Sequence, residues 1–195
     1  HIYHQAPSNE DLYALTYFGG KLVRRDLSSI IDYQERLKLT KGRKHSIKKA
    51  SLSGINVERS TSYSKYWKVL ESALANHDAK PTHSASEIEL LAQKFPDNIK
   101  LYLANMNEEI LAGTVVFDND NVVHTQYMAT TTLGGEYGAL DLVISNIIEE
   151  HALTHRYFSF GISTEDSGRY LNKGLVRQKE SFGARALTLD FYELK

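Results

Sequence analysis

The chain has 195 residues, of which 42% are hydrophobic and 24% are charged, as is usual for a globular domain. It contains no cysteine, which excludes a disulfide framework and a thiolate metal site. Its formal net charge of −1 excludes nucleic-acid binding through bulk positive charge.

The start of the chain and its hydropathy bear on location. No apolar run reaches the roughly 18–20 residues that span a bilayer, and the N-terminus lacks a signal-peptide pattern. The first residue is His1 rather than Met. We therefore expect a cytoplasmic chain that begins inside a longer protein, with the preceding half packed against it. A mature N-terminus is the alternative.

The first third of the chain predicts two helices around one strand. Ser8 is a candidate N-cap with Asp11 three residues later, and a Gly-Gly pair ends this first helix. Residues 21–33 are rich in Leu, Val and Ile and contain no Pro or Gly, which predicts a strand. Residues 39–53 predict a basic helix, with positive side chains on one face. These are Lys41, Lys44, His45 and Lys48.

The remaining two thirds predict a mixed α/β pattern. Residues 55–59 alternate like an edge strand, and helices follow at 62–75 and after Ser84 or Ser86. Short turns join three strands into an antiparallel meander. The meander strands are 99–104, 110–117 and 122–129, followed by a helix at 139–153, a strand at 156–162, a partly helical segment at 166–178 and a last strand at 184–194.

The turn before the helix at 139–153 is the first candidate site. Gly134, Gly135 and Gly138 free the backbone there, and the helix start adds the positive end of its dipole. Such a turn is suited to a pyrophosphate. The alternative is an ordinary strand-to-helix turn, in which glycine is common.

A cationic segment near the C-terminus is the second candidate site. Lys173, Arg177, Lys179 and Arg185 surround two glycines. A lysine in this setting can meet a phosphate or a developing oxyanion as a point charge. The alternative is a solvated amphipathic helix followed by a turn.

Polar residues within the third meander strand form a further candidate. Strict alternation places His124, Gln126 and Met128 on one face, and Thr125 and Tyr127 on the other. His124 is either a general base or a core histidine with its hydrogen bonds satisfied.

Two carboxylates are candidate bases. Asp141 in the first turn of the next helix is a base or only a favourable charge for the helix dipole. Glu165 follows a strand end, where sites often gather. The eight histidines are scattered, so no metal site is predicted.

Six segments in this order resemble the FemAB-like proteins of the GNAT acyltransferase superfamily, over residues 1–195. They are Arg43-Lys44-x-x-Ile47-Lys48-Lys49-Ala50, His124-x-Gln126-Tyr127, Gly138-Ala139-Leu140-Asp141-Leu142, Gly161-Ile162-Ser163-Thr164-Glu165, Leu171-Asn172-x-Gly174-Leu175 and Gln178-Lys179-Glu180-x-Phe182-Gly183-Ala184-Arg185. The resemblance implies a single GNAT-like domain, the C-terminal half of such a protein. In it, residues 1–35 lead into a core at 36–195. The implied fold is a central mixed, mostly antiparallel sheet flanked by helices, with strands splayed where the cofactor enters.

The resemblance also implies roles for individual residues. GNAT enzymes bind acyl-CoA with the pyrophosphate on the loop that corresponds to 134–139, whereas FemAB relatives use aminoacyl-tRNA and a lysine that matches Lys179. The expected catalytic residues are Lys179, His124, Asp141 and Glu165. The expected cofactor-binding residues are Gly134, Gly135, Gly138, Ala139 and Asn172. The expected substrate-binding residues are Arg43, Lys44, Lys48, Gln126, Tyr127 and Arg169.

Three functions follow from the resemblance. The first is an N-acyltransferase that moves an acyl group from acyl-CoA to an amine, such as an amino sugar or a cell-envelope precursor, without a metal. The second is an aminoacyl-tRNA-dependent peptidyltransferase that acts on peptidoglycan precursors. The third is a non-catalytic GNAT-like module that binds a ligand or a partner.

Overall fold

The structure is a computed structural model that describes residues 8–76 and 78–194, so expectations for residues 1–7 lie outside it. The strands there are β1 (Lys21–Asp32), β2 (Asn56–Ser60), β3 (Ile99–Met106), β4 (Glu109–Asp118), β5 (Val122–Thr130), β6 (Tyr157–Ile162), β7 (Thr164–Glu165), β8 (Tyr170–Leu171) and β9 (Arg185–Glu193). The helices are α1 (Glu10–Tyr17), α2 (Lys41–Leu52), α3 (Tyr63–Ala75), α4 (Ala85–Lys94), α5 (Thr132–Tyr137), α6 (Ala139–His151) and α7 (Lys173–Glu180).

Seven of the strands form one sheet in the order β2-β3-β4-β5-β6-β1-β9. Every neighbouring pair is antiparallel except β5 and β6, which run parallel because helix α6 carries the chain back across the sheet. Strands β7 and β8 form a separate hairpin. The predicted mixed, mostly antiparallel sheet is confirmed, as is the meander of β3, β4 and β5.

Helices cover the middle of the sheet on both faces, which explains the long apolar runs in β3 and β4. On one face, α2 and α6 pack over a core that includes Ala50, Val143, Ile147 and Phe158. On the other face, α3 and α4 pack over a second core with Tyr66, Trp67 and Leu70 at its centre. Helix α6 has seven buried residues in 13, so it is apolar around most of its circumference.

The glycine-bearing segment after β5 is a short helix, α5, rather than an open turn. The Thr131 hydroxyl caps it by accepting a hydrogen bond from the Gly134 amide at 3.0 Å. A Cβ atom at Gly134 would collide with the Leu111 carbonyl oxygen, so this glycine permits close packing of α5 on β4. Gly138, at φ +79°, ends α5 in the left-handed conformation and starts α6.

Strand β5 contains a bulge that the sequence did not reveal. Val115 pairs with Tyr127, whereas Val116 pairs with Thr125, so Gln126 is the extra residue. The predicted alternation of faces is therefore wrong. Tyr127 packs in the core under α3, on the same side as His124, whose partner Phe117 also packs there. Thr125 shares the opposite face with its neighbour Val116.

Two glycines in α5 give a matched test of this packing. Gly134→Ala should lower the free energy of unfolding by about 2 kcal/mol or more, because the new methyl group forces α5 away from the Leu111 carbonyl. Gly135→Ala is the control: no atom lies within 4 Å of its added Cβ, so it should be neutral or stabilise the helix by up to about 1 kcal/mol. Urea unfolding of both variants measures the difference. Equal stabilities would contradict the packing of Gly134.

Candidate active site

The sheet opens between its two parallel strands. β5 and β6 pair only at Val122–Tyr157, Val123–Phe158 and His124–Ser159, after which β5 continues to Thr130 without this neighbour. The strands therefore diverge like the arms of a V, and we call the point at His124 and Ser159 the apex. Beyond the apex, neither strand has the other as a hydrogen-bonded neighbour.

Lys179 is buried beside the apex, with 4% of its surface exposed. Its Nζ donates hydrogen bonds to the carbonyl oxygens of Gly161, at 3.0 Å, and Ile162, at 2.6 Å, at the end of β6. Removal from water lowers the pKa of this amine to about 8. Most of the lysine is thus still charged at neutral pH, and a buried cation held by two neutral carbonyls can stabilise negative charge.

His124 is the last β5 residue that pairs with β6. Its Nδ1 lies 3.1 Å from the Ser159 hydroxyl, and its ring covers Gly161, where a Cβ atom would sit 3.1 Å from Cε1. Burial, and then the positive charge of Lys179, lower the pKa of His124 to about 4. The imidazole is therefore neutral at physiological pH.

Asn172 positions the helix that carries Lys179. Its Oδ1 caps α7 by accepting from the Leu175 amide at 3.1 Å, its Nδ2 donates to Glu165 at 2.8 Å, and its own amide donates to the Ser163 carbonyl at 2.9 Å. Two predicted site residues, Glu165 and Asn172, are therefore hydrogen-bonded to each other, and together they hold the start of α7 in place. Glu165 itself is exposed.

Arg43 and Asp141 form an ion pair over the start of α6, with 15% and 13% of their side chains exposed. Arg43 Nε also donates to the Ser181 hydroxyl at 2.9 Å, and its guanidinium lies 4.4 Å from the Phe182 ring centroid. These contacts tie α2 to α6 and to the end of α7. A predicted substrate ligand and a predicted base are therefore partners of each other.

The other predicted site residues are dispersed. Lys44, Lys48 and Arg169 are exposed, on α2 and in the β7–β8 turn. The Tyr127 hydroxyl is 2.7 Å from His83 Nδ1, and its ring packs on Trp67 in the core. A cavity of about 810 Å³ along β2 and α4 contains none of the predicted residues.

No protein-family model and no curated protein sequence matches the chain. Solved structures do match it. The C-terminal domain of a proposed lysylphosphatidylglycerol synthetase from Agrobacterium fabrum superposes with a TM-score of 0.73 at 13% identity, over 96% of this chain and 65% of that one. FemX superposes with 0.72 at 12% identity, over 94% and 68%. A GNAT-family acetyltransferase structure from Novosphingobium aromaticivorans gives 0.52 at 16%, over 91% and 68%.

The chain has a FemAB-like, GNAT-type fold. It spans about two thirds of the length of the chains that it matches. The similarity is one of fold, since identity is low throughout.

Within this GNAT-type fold, three residues that contact predicted site residues were not themselves predicted. Ser159 pairs with His124, Ser181 binds Arg43, and His83 binds Tyr127. Only Ser159 could have been noticed in the sequence, because it is a hydroxyl residue inside the apolar segment Tyr-Phe-Ser-Phe. The other two lie in loops, where serine and histidine carry no special expectation.

Residues 8–76 and 78–194 contain no group of three or more His, Asp or Glu side chains arranged to bind a metal ion. None of the helices among the same residues has the length and apolar character that a bilayer span requires.

The buried state of His124 can be tested through the pH dependence of stability. Its pKa is about 4 in the folded chain and about 6.5 in the unfolded chain, so the unfolded chain binds more protons between these values. The free energy of unfolding should therefore fall as the pH drops from 6.5 to 4. In His124→Gln, the decrease in the free energy of unfolding between about pH 7 and about pH 4 should be smaller than in the wild type by roughly 2 kcal/mol. Urea unfolding at the two pH values measures this difference.

The exposed His45→Gln on α2 is the matched control for this measurement. It should keep the wild-type dependence on pH. A His124→Gln variant that loses as much stability on acidification as the wild type would show that His124 is not desolvated.

Proposed function

We propose that this chain is a transferase that moves an acyl or aminoacyl group from an activated ester or thioester to a nucleophile, at the apex of β5 and β6. The observation that carries the proposal is Lys179, a buried cation fixed on two carbonyl oxygens where the sheet opens. Burial of a charge is costly, so it is retained where the charge has a use.

The proposed reaction follows from the charges at the apex. The acceptor nitrogen attacks the donor carbonyl carbon and forms a tetrahedral oxyanion, which Lys179 stabilises as a cation. The carbon–oxygen or carbon–sulfur bond then breaks and the leaving group takes up a proton, while the acceptor amine loses one. His124, neutral at pH 7, serves as a hydrogen-bonding group that orients the acceptor.

The start of α6 favours an aminoacyl ester over acyl-CoA as the donor. A pyrophosphate would need free backbone amides there. The amides of Gly134, Gly135 and Gly138 instead bind Thr131 Oγ1, Thr131 O and Gly135 O. Ser46 of α2 contacts the position of a Cβ at Gly138, and Ala139 is fully buried. These contacts commit three of the amides on which a bound pyrophosphate would depend.

The exposed basic face of α2 supports a donor with many phosphates. Lys41, Lys44 and Lys48 project into solvent from the helix that covers α6. A strip of lysines on this helix can follow the backbone of a nucleic acid, although the whole chain has a net charge of −1. We therefore infer aminoacyl-tRNA as the donor.

The acceptor is an amine of a cell-envelope precursor. The support is the likeness of fold to FemX and to a structure named for lysylphosphatidylglycerol synthesis. Aminoacyl-tRNA is made in the cytoplasm, where we place the reaction. The chain would act as one domain, with a preceding half of the same protein packed against it. Acyl-CoA-dependent N-acyl transfer is the second candidate, favoured by the GNAT-family neighbour.

Replacement of Lys179 tests the chemistry. Lys179→Met should lower kcat about 10²–10³-fold with little change in KM, because a charge needed only in the transition state is lost. Wild-type activity should also fall above about pH 8 as the amine deprotonates. Lys179→Arg should retain measurable activity and lose this alkaline limb. Aminoacyl transfer from charged tRNA to an amine acceptor is the readout.

Lys173→Met is the control for Lys179→Met, because Lys173 is exposed on the same helix. It should keep wild-type kcat. Unchanged activity in a folded Lys179→Met protein would refute the catalytic role and favour the non-catalytic module.

The donor can be identified by ligand-induced stabilisation and by charge reversal. A ligand at about 100 times its dissociation constant should add roughly 2.7 kcal/mol to the free energy of unfolding. We expect this shift with a non-hydrolysable aminoacyl-tRNA analogue and none with acetyl-CoA. Lys44→Glu/Lys48→Glu should weaken tRNA binding and its salt dependence, whereas Lys65→Glu/Lys68→Glu on α3 should not. A shift with acyl-CoA alone would instead establish the second candidate.

A further inference from the structure

Strand β9 is an open edge of the sheet. It pairs with β1 from Arg185 to Glu193, and no described strand pairs with its other side. All nine of its residues are regular strand, without proline. An edge of this length presents a row of backbone donors and acceptors that another strand can bind.

The residues on one face of β9 form a self-complementary series. Successive side chains alternate between faces, so every second residue from Arg185 shares one face. These residues are Arg185, Leu187, Leu189, Phe191 and Glu193. A basic residue begins the series, three large apolar residues fill it and an acidic residue ends it.

This series is complementary to an antiparallel copy of itself. If Leu189 lies opposite Leu189 of a second chain, then Arg185 lies opposite Glu193, and Leu187 lies opposite Phe191, each twice. Every apolar residue then meets an apolar residue and every charge meets its opposite. A shift by two residues would place the charges opposite apolar side chains, so this register is selected over its neighbours.

We propose that two copies of this chain associate through β9, in antiparallel register centred on Leu189, to form a continuous fourteen-stranded sheet across a two-fold axis. Neither Arg185 nor Glu193 forms an ion pair with another residue in the described ranges, so both charges are available to the second copy. On the other face, Asp190 already binds Arg25 of β1 at 2.6 Å and is not needed for pairing.

Apolar surface beside β9 supplies further area for such a contact. Phe191 is 45% exposed, Leu194 is 56% exposed and Val23 of the neighbouring strand is 60% exposed. α1 adds Tyr17 and Phe18 near the same end of β9, at 72% and 71%. A single strand pair buries less than a stable dimer requires, and an exposed apolar margin of this kind can supply the remainder.

Cysteine scanning tests the register, because the chain contains no cysteine of its own. Residues directly opposite across antiparallel strands have Cα atoms about 4.5–5.5 Å apart, within the range for a disulfide. Leu189→Cys should therefore form a covalent dimer under mild oxidation. Leu187→Cys alone should not, because its two copies would be separated by four residues, or roughly 13 Å. Phe191→Cys alone should also stay unlinked.

An equal mixture of Leu187→Cys and Phe191→Cys chains should form the linked heterodimer, since these two positions face each other. Failure of Leu189→Cys to link, or equal linking by all three single variants, would overturn the proposal.

Charge reversal tests the same contact without oxidation. Arg185→Glu or Glu193→Arg alone should raise the dimer dissociation constant about tenfold, since like charges then meet at both ends. The double variant Arg185→Glu/Glu193→Arg should restore the wild-type value. Within one chain these residues are eight positions apart on an extended strand and do not meet, so restoration reports contact between chains. Sedimentation velocity gives the constants, and a wild-type monomer at every concentration would refute the pairing.

Discussion

The parallel pairing of β5 with β6 is the constraint on which the site depends. In an otherwise antiparallel sheet, these two strands share only three residue pairs before they diverge. The other strands around them are held on both sides, so the sheet can tolerate this gap without losing its core. Beyond the gap, β5 has no strand partner on its β6 side among the described residues. The proposed site and the local weakness of strand pairing thus have the same origin.

Lys179 and the residues around it place a fixed positive charge and a neutral imidazole beside this gap. The ammonium is held by carbonyls of β6, and the helix that carries it is fixed by the three hydrogen bonds of Asn172. Because burial, and then the charge of Lys179, lower the pKa of His124, the two groups adopt complementary states, one charged and one neutral. Such preorganisation costs stability in the free protein, and in the proposed reaction it would reduce the reorganisation of the site.

Much of the fold could be predicted because its elements have clear periodicity and clear ends. The helix at α4 has a Ser84–Glu87 capping box, and β3 to β5 are joined by short polar turns. Three features escaped prediction for physical reasons. α5 has two glycines in six residues, so packing rather than propensity makes it helical. The Arg43–Asp141 pair joins residues far apart in the sequence. The bulge at Gln126 contains no glycine that would reveal it.

The bulge also sets which side chains of β5 share a face. In a regular strand, residues three positions apart point to opposite faces, so an unbulged β5 of this sequence would send either Tyr127 out of the core beneath α3 or His124 to the face beneath α6. The extra residue, Gln126, keeps both on one face, because Val115 pairs with Tyr127 and Val116 with Thr125. Deletion of Gln126 would preserve this register, since the remaining residues would then alternate regularly. In this strand, the register with β4, rather than any one side chain, aligns the candidate site with the core.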